Sequence, residues 1–197
     1  MKKYIVLTLL VLLSLGANAQ KRGDHYVGTS VAATYVDGNP TTWSAGASVE
    51  FGYFVFKNWK VTASAGYSYQ HESYVEAGNP FAGTHVLLLG PSISYYVKLA
   101  KGLYYTPEVG VYYAFGGTWQ HSTEYDFHAR LDGFQMGISL FSLEYKPTDK
   151  FGVTLSVCEL GGGQMVGSST NGSYRVLIQN KDLLFNSKSS MGVRFYF

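Results

Sequence analysis

The chain has 197 residues, with 15 Lys and Arg against 13 Asp and Glu, and only 14% of it is charged. An ordinary soluble domain carries roughly 25%, and with no basic excess nothing points to a nucleic acid partner. Tyr, Phe and Gly are abundant at 17, 12 and 23 residues, and Cys158 is the single cysteine, which excludes an intrachain disulfide.

Residues 1–20 read MKKYIVLTLLVLLSLGANAQ. Lys2 and Lys3 precede an apolar core from Tyr4 to Leu15, and Ala17-Asn18-Ala19 forms an A-x-A cleavage site. The pattern predicts a secretory signal peptide over 1–19, cut after Ala19 so that the exported domain runs from Gln20 to Phe197. The apolar core is too short to cross a bilayer, which takes about 20 residues. Without Lys2 and Lys3 the acids and bases of the chain balance. No later apolar run has the length of a membrane helix, so a membrane location would have to rest on strands.

From there on, period-two alternation dominates. After a first stretch at 25–36, the odd positions from Trp43 to Val55 are Trp43, Ala45, Ala47, Val49, Phe51, Tyr53 and Val55, and the even ones include Ser44, Gly46, Ser48, Glu50 and Gly52. Val61, Ala63, Ala65, Tyr67 and Tyr69 continue the pattern. Further stretches lie at about 85–97, 103–116, 131–145, 151–159 and 182–197, giving eight predicted strands. Leu140-Phe141 is a phase slip of the kind a bulge absorbs, and Pro91 and Pro107 interrupt two of the patterns. Connections at 57–60, 98–102 and 146–150 are short. Those at 71–84, 117–130 and 160–181 are long and polar. Short turns on one rim and long loops on the other fit an antiparallel up-and-down barrel with both termini at the short-turn, periplasmic end.

The two faces of the strands differ in kind. Gly, Ser, Thr and Gln fill the polar face, as the narrow interior of an eight-stranded barrel requires. The other face holds Ala, Val, Leu, Ile, Met and aromatics without Lys or Arg. One such cation at mid-bilayer costs about 2–4 kcal/mol, so this face is expected to meet hydrocarbon. A soluble barrel would instead place charge on its outer face. Aromatic residues sort to both strand ends: Trp43, Tyr67, Tyr69, Tyr113, Phe115 and Phe134 toward the long loops, and Tyr53, Tyr95, Tyr105, Phe151, Phe195 and Phe197 toward the short turns. Two interfacial girdles have this form. The chain ends SSMGVRFYF, an apolar strand suited to closing the ring against the first one.

The A-x-A signal, the eight alternating segments, FGYFVFKNWKVTASAGYSY across a short turn and the terminal MGVRFYF together resemble the outer-membrane β-barrel domain family of porin-like, OmpA/OmpX-type eight-stranded barrels of the Gram-negative cell envelope. The resemblance covers residues 20–197. It implies outer-membrane lipids and the outer-membrane assembly machinery as partners, with Met191, Val193, Phe195 and Phe197 as the C-terminal insertion signal.

Three charges fall on the inward parity, Glu50, Glu108 and Arg194, and Arg194 is expected to pair with one or both glutamates and help plug the lumen. Tyr96, Tyr104 and Tyr112 narrow it further. Enzymatic signals are weak: His85 and His121-Ser122 lack an orienting carboxylate at a telling spacing, the histidines have no metal-ligand spacing, and Leu160-Gly161-Gly162-Gly163 lacks the Lys-Ser/Thr of a phosphate loop and suits a hairpin loop. No catalytic residue, cofactor or metal is expected. The sequence therefore predicts a non-enzymatic outer-membrane barrel whose loops, through Tyr74, Phe81, Trp119, Tyr125 and Phe127, contact a surface ligand of unknown identity. A lipid A deacylase or acyltransferase and a narrow pore are the alternatives.

Overall fold

A computed structural model describes residues 22–74, 81–121, 126–168 and 188–197. The predicted signal segment with Ala17, Ala19 and Gln20 lies outside these residues, as does Tyr125. Among the described residues every regular element is a strand: β1 (His25–Val36), β2 (Thr41–Phe56), β3 (Trp59–Ser73), β4 (Phe81–Tyr95), β5 (Val97–Ala100), β6 (Leu103–Tyr105), β7 (Glu108–His121), β8 (Asp126–Ser139), β9 (Ser142–Thr148), β10 (Phe151–Ser168) and β11 (Lys188–Tyr196). All pairings are antiparallel.

These pairings close on themselves. Strand β11 pairs with β1 from Tyr26–Tyr196 to Ala33–Ser189 and with β10 from Phe151–Phe195 to Ser156–Ser190. The cycle β1-β2-β3-β4-β7-β8-β10-β11 leaves no edge strand, and β5, β6 and β9 extend the wall below it. Closure satisfies the backbone without solvent, which hydrocarbon demands. The terminal apolar strand thus sits between the first strand and its own hairpin neighbour.

Where the sequence predicts unbroken strands, three are split: at Tyr96, at Thr106-Pro107 and at Leu140-Phe141. The breaks adjoin in space, since Tyr95 N–H donates to Pro107 O (3.2 Å) and Thr106 N–H to Ser142 O (2.8 Å). Pro91 remains inside β4, paired with Ala63, but the pairing of β4 with β7 is interrupted at Gly90 and Pro91, as expected where an N–H is missing. A Cβ at Gly90 would lie 2.0 Å from Val111 O, so the backbones meet there only because Gly90 has no side chain.

The loops are shorter than the sequence predicts. Strand pairing continues to Ser73 and resumes at Phe81, continues to His121 and resumes at Asp126, and in β10 reaches Ser168. Phe81, Trp119 and Phe127 therefore stand on strands rather than in loops, and Leu160 to Gly163 pairs with β8 instead of forming a hairpin loop. Polarity is a poor guide here because polar side chains at the strand ends satisfy one another within the wall: the Thr84 and Thr118 hydroxyls are 2.9 Å apart, and Gln70 Nε2 donates to Glu72 Oε1 at 2.7 Å.

The outer wall is apolar. Val31, Val49, Val111, Met136 and Met191 are among its exposed side chains. Trp43 and Tyr53 stand ten residues apart on β2, about 33 Å along a strand and about 25 Å along a barrel axis at ~40° tilt, the height of a lipid-facing band. Ring contacts link the upper girdle (Trp43–Tyr69 5.3 Å, Tyr113–Phe134 5.3 Å) and the lower one (Trp59–Tyr95 4.9 Å, Phe151–Phe195 5.4 Å). Above the band polar groups return, with Arg130 and Asp132 paired at 3.2 Å.

The lipid-facing assignment fixes a depth dependence. Val31→Arg, at mid-band, is expected to destabilise the barrel by about 2–4 kcal/mol, and Tyr35→Arg, at the upper girdle, by about 0–1 kcal/mol. Urea titration of the protein folded into bilayers measures both. Equal costs at the two positions would contradict the assignment.

Candidate functional site

The inward parity converges on a charged cross-section of the lumen. Arg194 of β11, Gly28 of β1 and Glu50 of β2 share one register row. Because Gly28 has no side chain, Arg194 reaches across β1: its Nε donates to Glu50 Oε1 at 2.6 Å and its Nη2 to Oε2 at 3.4 Å. A Cβ on Gly28 would come within 2.7 Å of that carboxylate and 3.0 Å of Arg194 Cγ. On the other flank, Arg194 faces Gly152 of β10. Across this second gap Nη1 donates to Glu144 Oε2 at 2.8 Å.

Glu144 is fully buried. Its remaining acceptor capacity is taken by tyrosines, as Tyr96 O–H donates to Oε2 at 2.7 Å and Tyr196 O–H donates to Oε1. Buried carboxylates need such compensation, and here one guanidinium and two phenols supply it.

A second row repeats the arrangement with serine as the small residue. Lys60 of β3, Ser94 of β4 and Glu108 of β7 are in register. Lys60 Nζ lies 3.5 Å from Glu108 Oε2, and Ser92 Oγ donates to Oε1 at 2.8 Å. Nζ also donates to Tyr26 O–H at 2.8 Å, and the ring of Tyr26 lies 4.9 Å from both Lys60 Nζ and Arg194 Cζ. Tyr26 thus joins the two ion pairs. Its ring occupies the place of an absent side chain, since a Cβ on Gly52 would fall 1.9 Å from Tyr26 Cε1. Phe54, Tyr96, Tyr104 and Tyr196 complete the packing.

Of the sequence-predicted lumen charges, Glu50 and Arg194 are thus brought together, while Glu108 lies with Lys60. Sequence reasoning missed Lys60, Glu144, Tyr26 and Tyr196. Lys60 falls in the predicted connection 57–60, yet β3 starts at Trp59 and Lys60 shares the parity of Thr62 and Ser64. Glu144 depends on the bulge. Leu140 and Phe141 both point outward, 43% and 62% exposed, while Ser139 and Ser142 both line the lumen. That one-residue shift exchanges the faces downstream, turning Glu144 inward and Tyr145 outward.

Above the charges lies a chamber of about 270 Å³, lined by Ser30, Ser48, Ser64, Ser156 and Tyr112, with Glu50, Glu108 and Arg194 on its wall. Val86, Ala114 and Leu131, with Leu88, form an apolar cluster on one side higher up.

The other predicted residues lie elsewhere. Met191, Phe195 and Phe197 are exposed on the outer wall and Val193 is half-buried beside them. Tyr74 O–H donates to Glu72 Oε2 at 2.9 Å, and Trp119 lies over Gly83 near His71. His85 packs over Gly117, away from the lumen charges. Among the described residues no group of three His, Cys, Asp or Glu is placed to hold a metal.

Together the ring and its filled interior define a closed antiparallel β-barrel with a lipid-compatible exterior and an ionic, aromatic core. No family model matches the chain, and no curated protein matches it in sequence. Among solved structures it is similar to Ail, the attachment invasion locus protein of Yersinia pestis, with 11% identity over 89% of this chain and 99% of that one and a TM-score of 0.48. It is also similar to the outer membrane protein OprG of Pseudomonas aeruginosa (11% identity, 91% and 98% coverage, TM-score 0.48) and to the N-terminal β-barrel domain of Pseudomonas aeruginosa OprF (15% identity, 90% and 100% coverage, TM-score 0.43).

Removing one member of a buried ion pair strands its partner, at a cost of about 3–5 kcal/mol. Glu144→Ala should lower barrel stability by that order, and Glu144→Gln, which keeps one acceptor oxygen for one of the two tyrosines, by less. The urea midpoint of folding into bilayers checks this. An unchanged midpoint for Glu144→Ala would contradict the role given to the network.

Proposed function

We propose that the chain is an integral outer-membrane barrel without enzymatic activity, with both termini periplasmic, whose long-loop rim contacts a surface ligand. The observation that carries this reading is the contrast between wall and lumen. The wall is apolar over the height of a bilayer, and the lumen is crossed at one level by three ion pairs packed among tyrosines. A barrel so filled is suited to present its rim rather than to conduct solutes.

Two features support the orientation. The ends of the described chain lie beside the short turns, where Gly23 N–H donates to Phe54 O and Phe197 N–H to His25 O. The strand ends Ser73, Phe81, His121, Asp126 and Ser168 stand at the opposite rim, where loops face solvent and are free to vary and to bind.

Lipid A from cells producing the protein should match, by mass spectrometry, lipid A from cells lacking it. The purified barrel should also leave planar bilayers without stable conductance steps. A lost or added acyl chain would establish the lipid-modifying enzyme instead, and steady single-channel steps would establish a pore.

A further inference from the structure

Among the described residues the two rims differ in charge. At the short-turn rim stand Arg22, Lys57, Lys98, Lys101, Lys146 and Lys150, against Asp24, Asp149 and the carboxylate of Phe197. At the opposite rim, among the residues whose side chains are described, Asp37, Glu72 and Asp132 stand with Arg130. The basic collar is built from the turns themselves. Lys57 is exposed in the β2–β3 turn, Lys101 in the β5–β6 turn and Lys150 in the β9–β10 turn, with Lys98 half-buried beside Tyr104. Lys146 is set apart, its ammonium 3.4 Å from the centre of the Tyr196 ring.

These ammonium groups lie next to the lower aromatic girdle. Phe56 and Trp59 flank Lys57, Phe151 follows Lys150, and Leu99, 47% exposed, lies between Lys98 and Lys101. Apolar and aromatic groups at an interface fix the depth of the chain, which puts the lysines at the height of lipid headgroups, where an anionic surface attracts each Lys appreciably. We propose that this collar binds the anionic phospholipid headgroups, phosphatidylglycerol-type, of the leaflet on the short-turn side. An acidic cell-wall polymer is the less fitting occupant, because Leu99, Phe56 and Trp59 hold the charge against the bilayer instead of projecting it into the aqueous space. Which leaflet is meant rests on the orientation given under Proposed function.

The test uses the folded barrel in nanodiscs of phosphatidylcholine with and without phosphatidylglycerol. Their two faces are identical in composition, so the result is independent of orientation, which labelling of the Asn39→Cys variant in intact cells decides separately. Competition between spin-labelled anionic and zwitterionic lipids reads the preference. The parent protein is expected to favour phosphatidylglycerol several-fold at low salt, with the preference falling at high salt as a screened interaction must. In the quadruple variant Lys57→Gln, Lys98→Gln, Lys101→Gln, Lys150→Gln it should fall close to unity, while Arg130→Gln, at the other rim, should leave it unchanged. Heat-modifiable gel mobility confirms that both variants are folded, and single Lys→Gln variants replace the quadruple one should it not fold. No preference in the parent, a preference untouched by the lysine substitutions, or lysine-dependent retention on cell-wall sacculi without lipid preference would each overturn the proposal.

Discussion

Everything in this barrel depends on one constraint: at bilayer depth, each backbone N–H and C=O must find a partner within the protein. A sheet meets that condition only by closing. Strand β11 performs the closure, pairing on one side with β1 and on the other with β10, and so brings Arg194 to Glu50 of β2, 144 residues away in the sequence. The C-terminal strand is therefore apolar outward because it is wall, and carries Arg194 and Tyr196 inward because it lies between the elements that hold their partners.

Closure creates a lumen that must then be filled, and the filling obeys a simple spatial rule. Long side chains on alternate strands meet across a small residue on the strand between: Arg194 and Glu50 across Gly28, Lys60 and Glu108 across Ser94. Two bulky side chains in adjacent register positions would collide in so narrow a tube, whereas a glycine or serine spacer leaves room for the ion pair to form. The third carboxylate, Glu144, exceeds the number of cations in the cluster and is stabilised by phenolic donors from Tyr96 and Tyr196. Charge, aromatic packing and glycine placement are thus one arrangement, not three.

Most of the wall was legible in the sequence, because period-two alternation is a direct image of a two-sided sheet and the aromatic ends mark its two interfaces. The phase slip at Leu140-Phe141 was legible as well. Its consequence was not: Glu144 changes face only if the bulge is resolved to a single residue, and sequence alone leaves that register open. The loops were overestimated because polar residues at the ends of long strands, such as Thr84 and Thr118, satisfy each other and look like coil when read one at a time. Lys60 escaped notice for a related reason, its position two residues past the turn being inside β3.

The central claim is that the apolar face meets lipid and the Ser-rich face lines the interior. Nuclear Overhauser contacts between lipid acyl chains and side-chain methyls of the folded barrel, in nanodiscs with water contacts recorded in parallel, address it most directly. Val31, Val49, Val111 and Met191 should show acyl-chain contacts and no water contacts, with the reverse at Ala32 and Thr154, which line the chamber. Water at the valines, or acyl chains at Ala32 and Thr154, would contradict the account.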